Sequence, residues 1–103
     1  VTERKQLVIN GKRWTLAWKN RLPRAYGRTV YDKLRIELER GLPEDRTLAT
    51  LIHEVLHVLS DDYRLALDHD TINRLEAGLF DFLATQGIDL APLIYALKGE
   101  VKP

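Results

Sequence analysis

Residues 47–60 read Thr-Leu-Ala-Thr-Leu-Ile-His-Glu-Val-Leu-His-Val-Leu-Ser. Leu48, Leu51, Ile52, Val55, Leu56 and Leu59 recur at the helical period, so the stretch predicts a largely buried α-helix, ended by Ser60-Asp61-Asp62. Inside it stands His53-Glu54-Val55-Leu56-His57, an H-E-x-x-H arrangement. Residues four apart share a helix face, so both imidazoles can reach one ion. Glu54 is displaced around the helix from His53, which directs its carboxylate past a metal towards a bound water. Chance puts three specified residues at such fixed positions in fewer than about one chain in a hundred of this size. Two unpaired histidines in so apolar a helix would also be costly. The residues point to a zinc ion with Glu54 as general base, against the plainer alternative of histidines satisfied in the core or at the surface.

Two protein ligands do not complete a zinc site, and a third is expected downstream. Asp68 is a good N-cap for a second helix carrying Ile72, Leu75, Leu79, Phe82 and Leu83 towards Gln86, with Gly87 beyond. After a short loop this helix should return antiparallel to the first. His69 opens it, where the helix dipole disfavours a cationic ring and so keeps the imidazole able to ligate. Glu76 lies two turns further on and falls level with His53 if Ser60 is level with His69. His69 is the preferred third ligand. Glu76 is the alternative, with a second reading as the acceptor for the other ring nitrogen of a ligand histidine. Asp68 and Asp70 are accounted for by the cap and the dipole.

Upstream of the motif the pattern changes from helix to strand. Gln6–Ile9 and Arg13–Trp18 flank Asn10-Gly11, the strongest short-range hairpin signal, and Trp14, Leu16 and Trp18 alternate onto one inward face. A loop over 20–27, punctuated by Pro23 and Gly27, leads to Thr29-Val30-Tyr31, a turn at Asp32-Lys33, and Leu34–Leu38. In that last run Leu34, Ile36 and Leu38 share one face, while Arg35 and Glu37 fall on a solvated one. Gly41 and Pro43 close the sheet region, and Glu44 and Asp45 suit a first helical turn. A short third helix is predicted over Ala91–Lys98, closed by Gly99. The expectation is an α+β fold in one domain, 1–103: a small twisted antiparallel sheet of two N-terminal hairpins packed on the H-E-x-x-H helix and a second antiparallel helix.

Composition narrows the chemistry. With no cysteine among 103 residues, disulfides, thiolate zinc sites and cysteine nucleophiles are excluded. No apolar run reaches the roughly 18–20 residues needed to span a bilayer, and Val1-Thr2-Glu3-Arg4-Lys5 is no apolar signal core, so the expected location is cytoplasmic. The net charge is only +1, yet residues 1–35 hold ten Lys/Arg against two acids and the remainder six against thirteen. A basic sheet facing an acidic helical half explains this, with nucleic acid as a less favoured partner.

The stretch from Thr50 to Leu59 resembles the active-site helix of zincin metallopeptidases. The whole layout, with Leu67-Asp68-His69 opening the next helix, resembles the minimal metallopeptidase-like proteins common in phages and prophages, most closely over residues 28–86. That resemblance implies a zincin-like fold whose edge strand lies beside the cleft and pairs with an extended substrate, with Leu34–Leu38 the candidate strand. It also implies hydrolysis of a peptide or protein substrate, with Glu54 moving the water proton to the leaving amine. Two departures stand out. The metzincin extension is absent, since Ser60 replaces its glycine and Tyr63 its histidine. The gluzincin Asn-Glu-x-x-x-Asp pattern is not reproduced around Asn73, Glu76 and Asp81. Tyr63 or Tyr31 could donate to an oxyanion, although each is better read as a packing or surface residue. The rival reading is a non-catalytic, zinc-stabilised module that binds a protein or nucleic acid. Glu54 argues against it, because a structural site has no use for a carboxylate beside its histidines.

Overall fold

The computed structural model describes residues 4–99, so Val1-Thr2-Glu3 lie outside it. The chain forms β1 (Arg4–Ile9), β2 (Lys12–Lys19), β3 (Gly27–Val30), a 3-10 turn (Tyr31–Lys33) and β4 (Arg35–Glu39). It continues through α1 (Glu44–Asp62), α2 (His69–Thr85) and α3 (Ala91–Lys98). The architecture is α+β. None of these helices is long and apolar enough to cross a membrane.

Asn10 and Gly11 turn β1 into β2 with φ of 50° and 79°, the left-handed pair that a two-residue hairpin needs. The second hairpin also forms, with Leu34 closing the 3-10 turn at φ 48°. The sheet order is β1-β2-β4-β3, and β2 and β4 run parallel. The sheet is therefore mixed rather than wholly antiparallel, because the second hairpin docks through its returning strand. Pairing Leu16 with Ile36 and Trp18 with Leu38 lays two apolar rows side by side. β3 is short and polar, and so fits the edge.

Three expectations are corrected by this order. Residues 34–38 do not form the edge strand: β4 is interior, and β3 is the edge beside α1. Leu34 leaves the strand and is partly exposed. Glu37 is not solvated; it is 1% exposed, with Arg28, Arg35 and Lys19 drawn around its carboxylate. A carboxylate can be buried there only because those guanidinium and ammonium groups converge on it. Burial opposes its ionisation, but the hydrogen bond and charge of Arg28, with Arg35 and Lys19, outweigh that and hold its pKa below the ordinary value.

The core lies between the sheet and α1. Trp14, Leu16, Trp18, Ile36 and Leu38 meet Val58, with Leu51, Val55 and Leu59 packed around them. Trp18 donates its indole N–H to the Leu97 carbonyl at 3.3 Å, which ties α3 to the same core. The helix begins a turn earlier than its apolar pattern, where Glu44 and Asp45 follow Pro43. α2 rests on α1 through Ile72, its one buried residue, and Asp68 caps it by accepting from the Thr71 N–H at 2.7 Å.

Candidate metal centre

α1 carries His53 and His57 one turn apart, on the flank facing α2. The loop between the helices then brings His69 to the same place. Ser60 is decisive in that loop: its buried hydroxyl accepts from the Leu67 N–H at 3.0 Å, and its carbonyl accepts from the Leu65 N–H at 2.9 Å. Arg64 and Ala66 adopt left-handed φ of 54° and 52°, so the chain reverses tightly before Asp68 starts α2. Ser60 thus fixes the approach of His69.

Among the described residues, His53, His57 and His69 form the cluster whose ligand atoms all lie within 4.8 Å of one another. His53 Nε2 and His57 Nε2 are 3.1 Å apart. Two nitrogens on a tetrahedral zinc at about 2.0–2.1 Å would be about 3.3 Å apart, so the pair needs little adjustment. Burial lowers the His57 pKa below its ordinary value, with the charges of His53 and His69 adding to the effect and that of Glu54 opposing it. A ring kept neutral is a ring able to ligate.

Glu76 falls level with His53, as the antiparallel helix pair requires, with Oε1 2.8 Å from His53 Nδ1. With Nδ1–H donated to that carboxylate, the lone pair of Nε2 is left facing His57 and His69. Glu76 is therefore behind the ring rather than beside it, and lies outside the three-histidine cluster. The donor set fits zinc: three imidazoles, one of them oriented by a carboxylate, and a side left open.

Glu54 is 6% exposed and points to the sheet side of the cluster, where the Thr29 hydroxyl donates to its Oε1 at 2.8 Å. This contact depends on a close approach of β3 to α1. A Cβ on Gly27 would stand 2.6 Å from Thr50 Cγ2 and 2.9 Å from Leu38 Cδ2, so only glycine lets the strand lie there. The Glu39 N–H donates to the Tyr26 carbonyl, which makes Arg28 and Val30 the bonded partners of β4 and turns the backbone of Gly27 and Thr29 outward. An open cleft of about 280 Å³ lies along this edge, with Arg24, Tyr26, Gly27, Arg46, Glu54 and His69 among its walls. A second, lined by Tyr31, His57, Asp61 and Arg64, lies on the far side of the histidines.

Of the two tyrosines, Tyr63 donates to Asn10 Oδ1 at 2.9 Å and ties the end of α1 to the first hairpin turn. Tyr31 packs edge-on against Trp14 with its ring in the His57 cleft. Burial, followed by the charges of Asp61, Glu54 and Asp62, raises its pKa, so the phenol keeps its proton at neutral pH. Thr29 and Ser60 had no signal in the sequence, because each acts through a contact with a residue distant along the chain or through loop geometry. No family model, curated protein or solved structure matches this chain. The chemistry is argued from its own residues.

Proposed function

We propose that the protein is a zinc-dependent hydrolase of the zincin type that cleaves peptide bonds, with His53, His57 and His69 as ligands and Glu54 as general base. The observation that carries this reading is the convergence of three imidazoles with a buried carboxylate one residue away, opening onto a cleft along a free sheet edge. When bound, zinc supplies a Lewis acid that polarises a carbonyl and acidifies a water. Glu54 accepts the water proton and returns it to the leaving amine. Thr29 fixes one oxygen of that carboxylate and leaves the other for the proton. Glu76 holds His53 in the orientation and tautomer that ligation requires. The outward amides and carbonyls of Gly27 and Thr29 offer an extended peptide its hydrogen bonds. Tyr31, which shares the His57-side cleft and keeps its proton, is the candidate donor to developing negative charge on the carbonyl oxygen.

Metal analysis of the purified protein after zinc supplementation tests the ligands. Wild type should hold one zinc, His53→Ala and His69→Ala should lose it, and Glu76→Ala should bind it more weakly. Retention in His69→Ala with complete loss in Glu76→Ala would exchange the third ligand. Glu54→Gln should keep zinc and lose peptide hydrolysis. Hydrolysis unchanged in that variant would remove Glu54 as the base and return the site to a structural, non-catalytic role.

A further inference from the structure

The cleft beside Glu54 holds two cations that no carboxylate of its own wall engages. Arg24 lines it from the loop before β3 and Arg46 from the start of α1. Both are exposed, and among the described residues neither is in an ion pair. Arg46 instead stacks its guanidinium 5.6 Å over the Tyr26 ring, which holds it against the wall and steers it to the cleft. The carboxylates on the same wall are already engaged, Glu54 by Thr29 and Glu76 by His53. Glu54 and Glu76 keep their charge within those contacts, and the two guanidiniums are the cations of this cleft without a carboxylate partner among the described residues, whereas the cleft on the His57 side carries Asp61 together with Arg64.

We propose that Arg24 and Arg46 bind a carboxylate of an extended peptide at the Gly27 end of the β3 edge, making the site selective for acidic substrates. The course of the peptide along β3 rests on the hydrolase reading above. Arginine is suited to this task, since its planar fork matches a carboxylate. A peptide pairing antiparallel to β3, the slightly more stable pairing, turns its C-terminal side towards Gly27. The recognised group is thus an acidic side chain, or the chain-terminal carboxylate, on the C-terminal side of the cleaved bond.

The test uses one peptide scaffold in five forms: four with an amidated C-terminus, bearing Glu on the C-terminal side of the bond, Glu on the N-terminal side, Gln at both, or Lys on the C-terminal side, and the Gln form with a free C-terminus. Binding to chelator-treated wild-type protein is followed by NMR shifts of the Ala25 and Gly27 amides, a readout that needs no turnover. Glu on the C-terminal side, or a free terminus, should bind about tenfold more tightly than the neutral amidated form. Comparison of the C-terminal-side Glu form with the free-terminus Gln form distinguishes side chain from chain end as the source of the carboxylate. The preference should vanish in the Arg24→Ala/Arg46→Ala double variant and persist in Arg64→Ala. It should reverse towards a Lys-bearing peptide in Arg24→Glu, a surface change whose folding circular dichroism verifies. Equal binding of charged and neutral forms, a preference for N-terminal-side Glu, or a preference that survives the double variant overturns the inference. So does displacement of the acidic peptide by a single-stranded oligonucleotide, which would make the arginines a phosphate site. Zinc content and hydrolysis are measured separately. Their loss with the acid preference intact defeats the hydrolase reading alone, and hydrolysis without acid preference defeats this one alone.

Discussion

At the scale of single residues, the site depends on partners that hold the histidines and the glutamate. Thr29 donates to Glu54 across 25 residues of sequence, and Glu76 braces His53 across 23. Thr29→Val keeps the shape and removes the donor. It should retain zinc while lowering kcat for peptide hydrolysis by about tenfold, a loss of roughly 1.4 kcal/mol of transition-state stabilisation. An unchanged kcat would relegate Thr29 to packing. Glu76→Gln should weaken zinc affinity by about 10–100-fold, the usual effect of losing a carboxylate behind a ligand imidazole, measured by competition with a chromophoric chelator. His53, Glu54 and His57 were legible in the sequence because helical spacing alone puts the two imidazoles on one face. The choice between His69 and Glu76 was not, since both fall on the correct face of α2. The loop set by Ser60 brings His69 to the other two imidazoles, whereas Glu76 meets the outer nitrogen of His53.

At the scale of elements, β3 and β4 carry the departures from the expected fold. Alternation revealed which residues of 34–38 face the core, but no one-dimensional pattern says which strand of a hairpin will meet β2. The buried Glu37 is the trace of that choice. Strands on both edges of β4 supply the cover: Lys19 from β2, Arg28 from β3 and Arg35 from β4 itself close over the carboxylate on the face away from the helices. Its folded pKa lies below the ordinary 4.5, so its contribution to stability is fully present above pH 4.5 and is lost as pH falls through the folded value. Glu37→Gln should therefore cost about 1–3 kcal/mol in urea unfolding at pH 7, with the difference from wild type shrinking in acid. A difference that stays constant down to acid pH would show that the charge of Glu37 is not what stabilises the sheet. Gly27→Ala makes the opposite kind of change, adding one methyl where Thr50 and Leu38 leave no room. It should cost about 1–3 kcal/mol by thermal or urea melts. It should also reduce activity more than Thr29→Val does, since pushing β3 outward moves the edge and the Thr29 hydroxyl together.

At the scale of the whole molecule, the three histidines join two helices, His53 and His57 from α1 and His69 from α2. α1 is packed into the core beneath the sheet, whereas α2 leaves Leu75, Leu79 and Phe82 exposed along its outer side. On the proposed reading, zinc at a thousandfold excess over its Kd adds about 4 kcal/mol to the folded state and raises Tm by more than about 10 °C. His69→Ala should abolish that gain and leave the Tm of the chelated protein nearly unchanged. A zinc-dependent rise that persists in His69→Ala would place the ion elsewhere. Ile72 is the sole buried residue of α2, and this has a consequence for time as well as stability. The other contacts of this helix, the Glu76–His53 bond among them, are only partly buried, so α2 opens more often than the core does, and each opening carries His69 away from its two neighbours. On the proposed reading, the lifetime of the ion in its site is then the closed lifetime of α2. Amide hydrogen exchange along 72–85 should slow sharply on loading while that of 51–59 barely moves, and zinc should leave at the rate at which that one helix lifts.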